Sequence, residues 1–255
     1  MLSITTHETP HGAISEIQLA RPPVNALNLE LLQQLYAAIE SSHQGGARGI
    51  VLSGAPGMFS AGVDVPALLE MDRGDVENYW RTFFRACAAL ARSPVPVAAA
   101  ITGHSPAGGA VLALHCDYRI MAQGAYRIGL NEVQVGMIVP EFIQLGLRRV
   151  VGQSRAERLL IAGTLLDAEQ ALACGFVDEL VPPEQVVARA TTWLGEMLAL
   201  PPRAMLGTRA VARADLMANF ADVDAMPIQG LVDAFFEEDT LNVLKQLVAR
   251  LKKKA

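Results

Sequence analysis

Two short loops built from small residues, and one carboxylate beyond them, are where this sequence can do chemistry. The first loop is FSAGVD, Phe59 to Asp64, where Ser60, Ala61 and Gly62 leave the backbone bare. A ligand can approach main-chain amides closely there. The second is GHSPAGGAVLA, Gly103 to Ala113, where Ala107, Gly108 and Gly109 open a helix. A helix N-terminus presents unpaired N–H groups and a positive dipole end. Facing each other, two such loops would aim two N–H donors at one developing oxyanion. Either loop alone is a common turn after a strand, and neither fits GxGxxG or GxxxxGK(S/T), which weighs against a phosphate site. The carboxylate is Glu132 in GLNEVQVG, just after a strand-like segment. By itself it would be an ordinary surface glutamate.

The other reactive side chains read as structural. His104 and His115 have no nucleophile or carboxylate at motif spacing, so polar-loop and core-edge places are expected. Ser105 is not in a GxSxG elbow. Cys87, Cys116 and Cys174 share no metal-ligand or CxxC spacing and read as reduced core residues. No metal site is expected. Asp117, opening a strand, is expected to anchor its loop by hydrogen bonds.

The elements that must position these loops alternate. Ile14 to Leu19 has a strand's apolar–polar alternation. After the RPPVN loop, Asn28 is set to cap a helix over Leu29 to Glu40, with Leu31, Leu32, Leu35, Ala38 and Ile39 on one face. Strands are expected at Gly49–Ser53, Val95–Ile101, Tyr118–Met121, Tyr126–Ile128 and Val177–Val181. Helices are expected over Val76–Ala91, near Ala110–Leu114, and over Glu141–Val151, Arg155–Ile161, Ala168–Ala173, Pro183–Leu198 and Arg203–Met217. Asp222–Lys253 reads as helical throughout, with a break near Asp239. Strands alternating with helices, then helices alone, predict an α/β fold with parallel sheet and a terminal helical layer.

Bulk properties agree. The chain has 255 residues, 51% hydrophobic and 18% charged, with a net charge of −5. This suits a core-rich protein and supplies no basic field for nucleic acid. The N-terminus lacks a targeting pattern and no apolar run spans a membrane, so a cytoplasmic location is expected.

In order and spacing, the two loops resemble the signature segments of the crotonase (enoyl-CoA hydratase/isomerase) superfamily. RPPVNALN, Arg21 to Asn28, resembles its adenine-contacting loop, and the likeness runs from about Ile14 to the C-terminus. PAGGAVLALHCDYRIMA and YRIGLNEVQVGMIVP are similar to the Δ3,Δ2-enoyl-CoA isomerases within it. The resemblance implies a spiral of ββα units over residues 1–195 that binds CoA esters, and a C-terminal helical trimerisation region over 196–255. A homotrimer or dimer of trimers is implied. By position it implies oxyanion donors at the backbone N–H groups of Val63 and Gly108. It further implies CoA contacts at Asn25, Ala26, Leu27, Ser60, Ala61 and Asp64, and Glu132 as acid/base. Asp64 either anchors its loop or orients the CoA. CoA enters as part of the substrate, so no separate cofactor is expected.

Where hydratases of this superfamily carry a second glutamate, this sequence has Val111. Hydration needs a held, deprotonated water; a 1,3 proton shift needs one base. An isomerase acting on 3-enoyl-CoA in fatty acid β-oxidation is therefore expected. The alternatives are a hydratase, a dienoyl-CoA isomerase, a thioester hydrolase, or a non-catalytic CoA-ester-binding subunit. Glu141 lies one residue from the extra acid of dienoyl isomerases and reads as a helix N-terminal glutamate favoured by the dipole. Arg250, Lys252, Lys253 and Lys254 read as a favourable helix C-terminus or, more sharply, as a contact to CoA phosphates.

Overall fold

Two sheets share one chain path. The computed structural model describes residues 1–252. The strands are β1 (Leu2–His7), β2 (Ile14–Leu19), β3 (Gly49–Ser53), β4 (Gly57–Met58), β5 (Val97–Ile101), β6 (Gly103–Pro106), β7 (Tyr118–Ala122), β8 (Arg127–Gly129), β9 (Leu166–Asp167) and β10 (Glu179–Val181). The larger sheet runs β1-β2-β3-β5-β7-β10 and the smaller β4-β6-β8-β9. The β1–β2 and β8–β9 pairs are antiparallel; the other ladders are parallel.

Helix α1 (Leu29–Gln44) follows β2. The short α2 (Val65–Leu68) and long α3 (Arg73–Arg92) then follow β3 and β4. Helix α4 (Gly108–Leu114) follows β5 and β6, and α5 (Glu141–Val151) follows β7 and β8. From β3 to α5 each turn thus gives one strand to each sheet and then a helix, the ββα spiral that the resemblance implies; the first turn gives both β1 and β2 to the larger sheet. Helices α6 (Gln153–Ala162) and α7 (Ala168–Cys174) flank β9.

Local signals behave as physical chemistry requires. The Asn28 side chain accepts from the Leu31 N–H at 2.9 Å, and Leu31, Leu32, Leu35, Ala38 and Ile39 are the buried face of α1. β5 begins at Val97 rather than Val95 because Pro94 and Pro96 have no N–H for the ladder. β1 lacks the apolar alternation that marks strands, since its four central residues are exposed on a sheet edge. Its register, Leu2 opposite Leu19 and His7 opposite Ile14, comes from β2.

Strand alternation divides the core. Val51, Ala98, Ala100, Ile120 and Ala122 face helix α8 (Val186–Leu198), which buries Val186, Ala190, Leu194 and Leu198 on them. Ile50, Leu52, Val97, Ala99, Ile101 and Met121 face the main core. Residue 195, the expected regional boundary, lies inside α8, so the terminal layer starts after Leu198.

That layer comprises α9 (Pro202–Ala212), α10 (Ala214–Ala218), α11 (Gln229–Phe235) and α12 (Glu238–Lys252). It corrects two expectations. Arg203–Met217 is two helices broken at Arg213, and Asp222–Ile228 is a turn region rather than helix. In that region Asp222 accepts from the Asp224 and Ala225 N–H groups, and Pro227 cannot join a ladder. The expected break near Asp239 falls at Phe236–Glu237.

The layer packs back on its own chain. Leu216, Phe220, Ile228, Val232, Phe235 and Leu244 belong to the main core. Arg209 donates to both oxygens of Asp117, at 2.8 and 2.9 Å, and Arg213 lies 3.1 Å from the same carboxylate. Asp117 also accepts from the Val97 N–H at 2.8 Å. It anchors its loop by hydrogen bonds as expected, and the terminal layer as well.

Candidate active site

Glu132 opens a 3-10 turn, Glu132–Val135, beyond β8. Two elements hold that turn. Gln134 Nε2 donates to the Gly163 carbonyl at the end of α6 (2.8 Å), and Thr240 of α12 donates to the Gly136 carbonyl (3.0 Å). Glu132 lines a cavity of about 40 Å³ whose other walls include Val63, Trp80, Phe83, Gly108, Val111 and Ile143. Its Oε2 is shut off from solvent and has no partner among the described residues. Loss of hydration, opposed weakly by a backbone hydrogen bond, pushes its pKa up to about 7. Among the described residues, Glu132 is the one titratable side chain on the cavity wall.

The two small-residue loops meet at this cavity. Gly62 takes φ +86°, a left-handed conformation that glycine adopts without strain. A Cβ at position 108 would lie 3.3 Å from the Val63 nitrogen and 3.0 Å from Leu27 Cδ1, so a side chain there would crowd the gap beside the amide. Ala107, before α4, has φ 46°, unusual for a residue with a side chain. The N–H groups of Val63 and Gly108 have no acceptor among the described residues. Both residues line the cavity with Glu132. Two unpaired N–H groups and one near-neutral carboxyl around an apolar cavity are a set able to hold an enolate oxygen and move a proton.

An outer groove of about 530 Å³ adjoins this cavity, sharing Val63, Ala107 and Val135 with it. Of the expected CoA contacts, Ala26, Ala61 and Asp64 line the groove. Asn25, Leu27 and Ser60 are not on its wall: they are buried, at 2%, 0% and 0% exposure. Asn25 Nδ2 donates to the Met58 and Phe59 carbonyls, its Oδ1 accepts from the Arg21 N–H, and Ser60 Oγ donates to the Asn25 carbonyl. These bonds staple the Arg21–Asn28 loop to the Phe59–Asp64 loop. Asp64 caps α2 through the Ala67 N–H and pairs with Arg21 at 2.7 Å.

Several wall residues carry no sequence motif. Trp80 and Phe83 stand on one face of α3, and Met137, Ile138 and Leu231 come from a loop and from α11. Helical periodicity marks Trp80 and Phe83 as inward-facing without saying toward what. Leu247 and Leu251 of α12 line the outer groove. Of the basic terminal cluster, Lys253 and Lys254 lie outside the described residues.

The remaining candidates stay structural. His115 is fully buried, with Nδ1 2.7 Å from the Val111 carbonyl; burial pulls its pKa down to about 4, so it is neutral with the proton on Nδ1. His104 Nδ1 accepts from the Arg127 N–H. Burial raises the Cys87 and Cys116 thiols, against reactivity. Glu141 starts α5 and pairs with Arg148 at 2.7 Å. Among the described residues no cluster of metal-ligating side chains occurs, and no helix is long and apolar enough to cross a membrane.

A spiral of ββα turns with amides from two loops beside a glutamate whose Oε2 is shut off from solvent defines a class, and the sequence matches it. Residues 9–239 match the enoyl-CoA hydratase/isomerase family model, and the chain belongs to this family, the crotonase superfamily. It is 33% identical over 244 residues to the human mitochondrial enoyl-CoA delta isomerase 1, covering 94% of this chain and 81% of that protein. It is also 33% identical over 200 residues to a probable enoyl-CoA hydratase of Mycobacterium tuberculosis, covering 78% and 76%. The crystal structure of human mitochondrial delta3-delta2-enoyl-CoA isomerase superposes with a TM-score of 0.92 at 32% identity, over 98% of both chains. An enoyl-CoA hydratase from Mycobacterium ulcerans gives 0.78 at 30% identity, over 90% of this chain and 96% of that one.

Proposed function

We propose that this protein is a Δ3,Δ2-enoyl-CoA isomerase that converts 3-enoyl-CoA esters to trans-2-enoyl-CoA, in the β-oxidation of unsaturated fatty acids. One observation carries the reading: among the described residues Glu132 is the single titratable side chain on the cavity wall, and Val111 stands on that wall where a hydratase would need a second carboxylate. In this reading the thioester carbonyl oxygen accepts hydrogen bonds from the Val63 and Gly108 amides. Glu132 removes the α proton, and the electron pair moves through the thioester into an enolate conjugated with the double bond. The same carboxyl returns that proton to the γ carbon, so the double bond moves by one position with no net proton change. A pKa near 7 suits a group that must take a proton and then give it back. Ala26, Ala61 and Asp64 would border the CoA moiety in the outer groove. A homotrimer in the cytoplasm completes the proposal; gel filtration and cell fractionation test those two points.

The discriminating experiment assays 3-enoyl-CoA isomerisation and crotonyl-CoA hydration side by side on the wild type and Glu132→Gln. Isomerisation should dominate in the wild type and vanish in the variant while CoA-ester binding persists. Hydration faster than isomerisation would favour the hydratase reading, which the likeness to the mycobacterial protein keeps in view.

A further inference from the structure

Resting on the reading of the Val63 and Gly108 amides as oxyanion donors, we infer that Tyr79 is a positioning residue for that pair, its hydroxyl holding Leu27 so that the Val63 N–H stays aimed into the cavity. Tyr79 stands on α3, fully buried, and lines neither the Glu132 cavity nor the outer groove. It is out of reach of a substrate in either. Its Oη donates to the Leu27 carbonyl at 2.7 Å, its one hydrogen bond among the described residues. Burial holds its pKa well above the usual phenol value, so it remains a donor throughout the neutral range.

Leu27 meets both halves of the donor pair. It forms a parallel bridge with Val63: its N–H donates to the Gly62 carbonyl at 2.8 Å, and its carbonyl accepts from the Asp64 N–H at 3.1 Å. These bonds fix the residues on either side of Val63, and parallel pairing turns the N–H of Val63 itself away from Leu27. The Gly62 carbonyl and the Val63 N–H also belong to one planar peptide unit, so anchoring the carbonyl sets the direction of the amide. A hydrogen bond to that carbonyl polarises the amide as well, which strengthens it as a donor. On the other side, Leu27 Cδ1 lies 3.0 Å from where a Cβ on Gly108 would stand, so the Leu27 side chain packs beside the second amide.

Packing does not account for the hydroxyl. A phenylalanine would fill the same space, as Phe83 does one turn along α3. Burying the extra O–H costs desolvation that one hydrogen bond does little more than offset. Nor does the Leu27 carbonyl require it, since the Asp64 N–H already satisfies that oxygen. What the Tyr79 hydroxyl adds is a fixed point on a long helix for the loop residue that aims the Val63 amide. A donor aimed less well loses most toward the charge that develops in the transition state, so its loss falls on kcat rather than KM.

The test is Tyr79→Phe, which removes one oxygen and keeps the ring. With 3-hexenoyl-CoA, kcat should fall on the order of tenfold, less than the roughly 10²–10³-fold of a donor removed outright, and KM should change less than about twofold. The second reading is infrared, on hexanoyl-CoA isotope-labelled at the carbonyl, an ester with no double bond to move. Binding to the wild type should lower the carbonyl stretch below that of the free ester, and Tyr79→Phe should undo part of that lowering. Only bound ester shows the shift, so a partly unfolded variant does not mimic this result. Replacing Tyr79 by 3-fluorotyrosine, a stronger donor on the same ring, should deepen the lowering; it serves alone should thermal melts show Tyr79→Phe unfolded, and an unchanged stretch then overturns the assignment. Equal lowering in the wild type and Tyr79→Phe, or a KM effect with kcat unchanged, overturns the role of Tyr79 and leaves the isomerase standing. Lowering relieved in Tyr79→Phe, with no turnover of any 3-enoyl ester by the wild type, keeps that role and rejects the isomerase. No lowering in the wild type rejects the amide pair and the role of Tyr79 with it.

Discussion

Asp117 and Glu132 are both withdrawn from water, yet their surroundings differ in kind. Asp117 receives the guanidinium groups of Arg209 and Arg213 and the Val97 amide. Its charge is matched on every side, and it ties the terminal helices to the mouth of the large sheet. Among the described residues Glu132 Oε2 has no hydrogen-bond partner, and its cavity wall holds no cation. A carboxylate met by two guanidinium groups serves as a fastening. An unpaired one is poised between two protonation states near neutrality, which is what proton transfer needs.

Removing each carboxylate should therefore damage different properties. Glu132→Gln should lower isomerase kcat by about 10²–10⁴-fold or more, the range for a positioned base, while the fold survives. Steady-state rates with circular dichroism read both. Asp117→Ala should do the converse. It strands the buried Arg213 and the half-buried Arg209 and should cost roughly 3–5 kcal/mol in urea unfolding, with kcat per folded molecule little changed. Gly108→Val probes the donors rather than the base. By crowding the space beside the Val63 amide it should lower kcat by about 10²–10³-fold, comparable to losing one oxyanion donor.

Proton titration sharpens the contrast. The unfolded chain ionises Glu132 near 4.5 and the folded protein near 7. Folding therefore favours the protonated form, and stability from this group is full below 4.5 and lost as pH rises through 7. Glu132→Gln should accordingly be more stable than the wild type at pH 8, by about 3 kcal/mol from the shift, and equal to it at pH 4. Denaturant midpoints at the two pH values check this, and a difference of the opposite sign would count against an unpaired carboxyl. The smallest effect is kinetic: kcat/KM should fall about tenfold per pH unit below 7 and level off above it, as expected for a base that must be ionised.

Much of the fold was legible because its signals are local. Asn28 announces a helix by offering an acceptor to an N–H three residues on, and the leucines after it fall on one face at helical spacing. β1 was not legible, because an edge strand with both faces exposed needs no apolar alternation. The turn at Asp222–Ile228 carried its own signal in Pro227, but Val223 and Met226 around it also fit the spacing of a helix face. Of the site, the two glycine loops and Glu132 stood out by motif. Asn25 and Ser60 did too, but spacing cannot distinguish a residue that touches a ligand from one that holds the ligand's loop in shape.

Composition and order by themselves determined the alternation of strand and helix, the bare backbone at Gly62 and Gly108, and the absence of a carboxylate at Val111. Each follows from the chemistry of a residue and its close neighbours. Only the tertiary structure decided that Glu132 lies in an apolar cavity with a pKa near 7, that Trp80 and Leu231 wall that cavity, and that Arg209 and Arg213 meet Asp117. Solvation and pairing depend on groups that are distant along the chain, and folding brings them together.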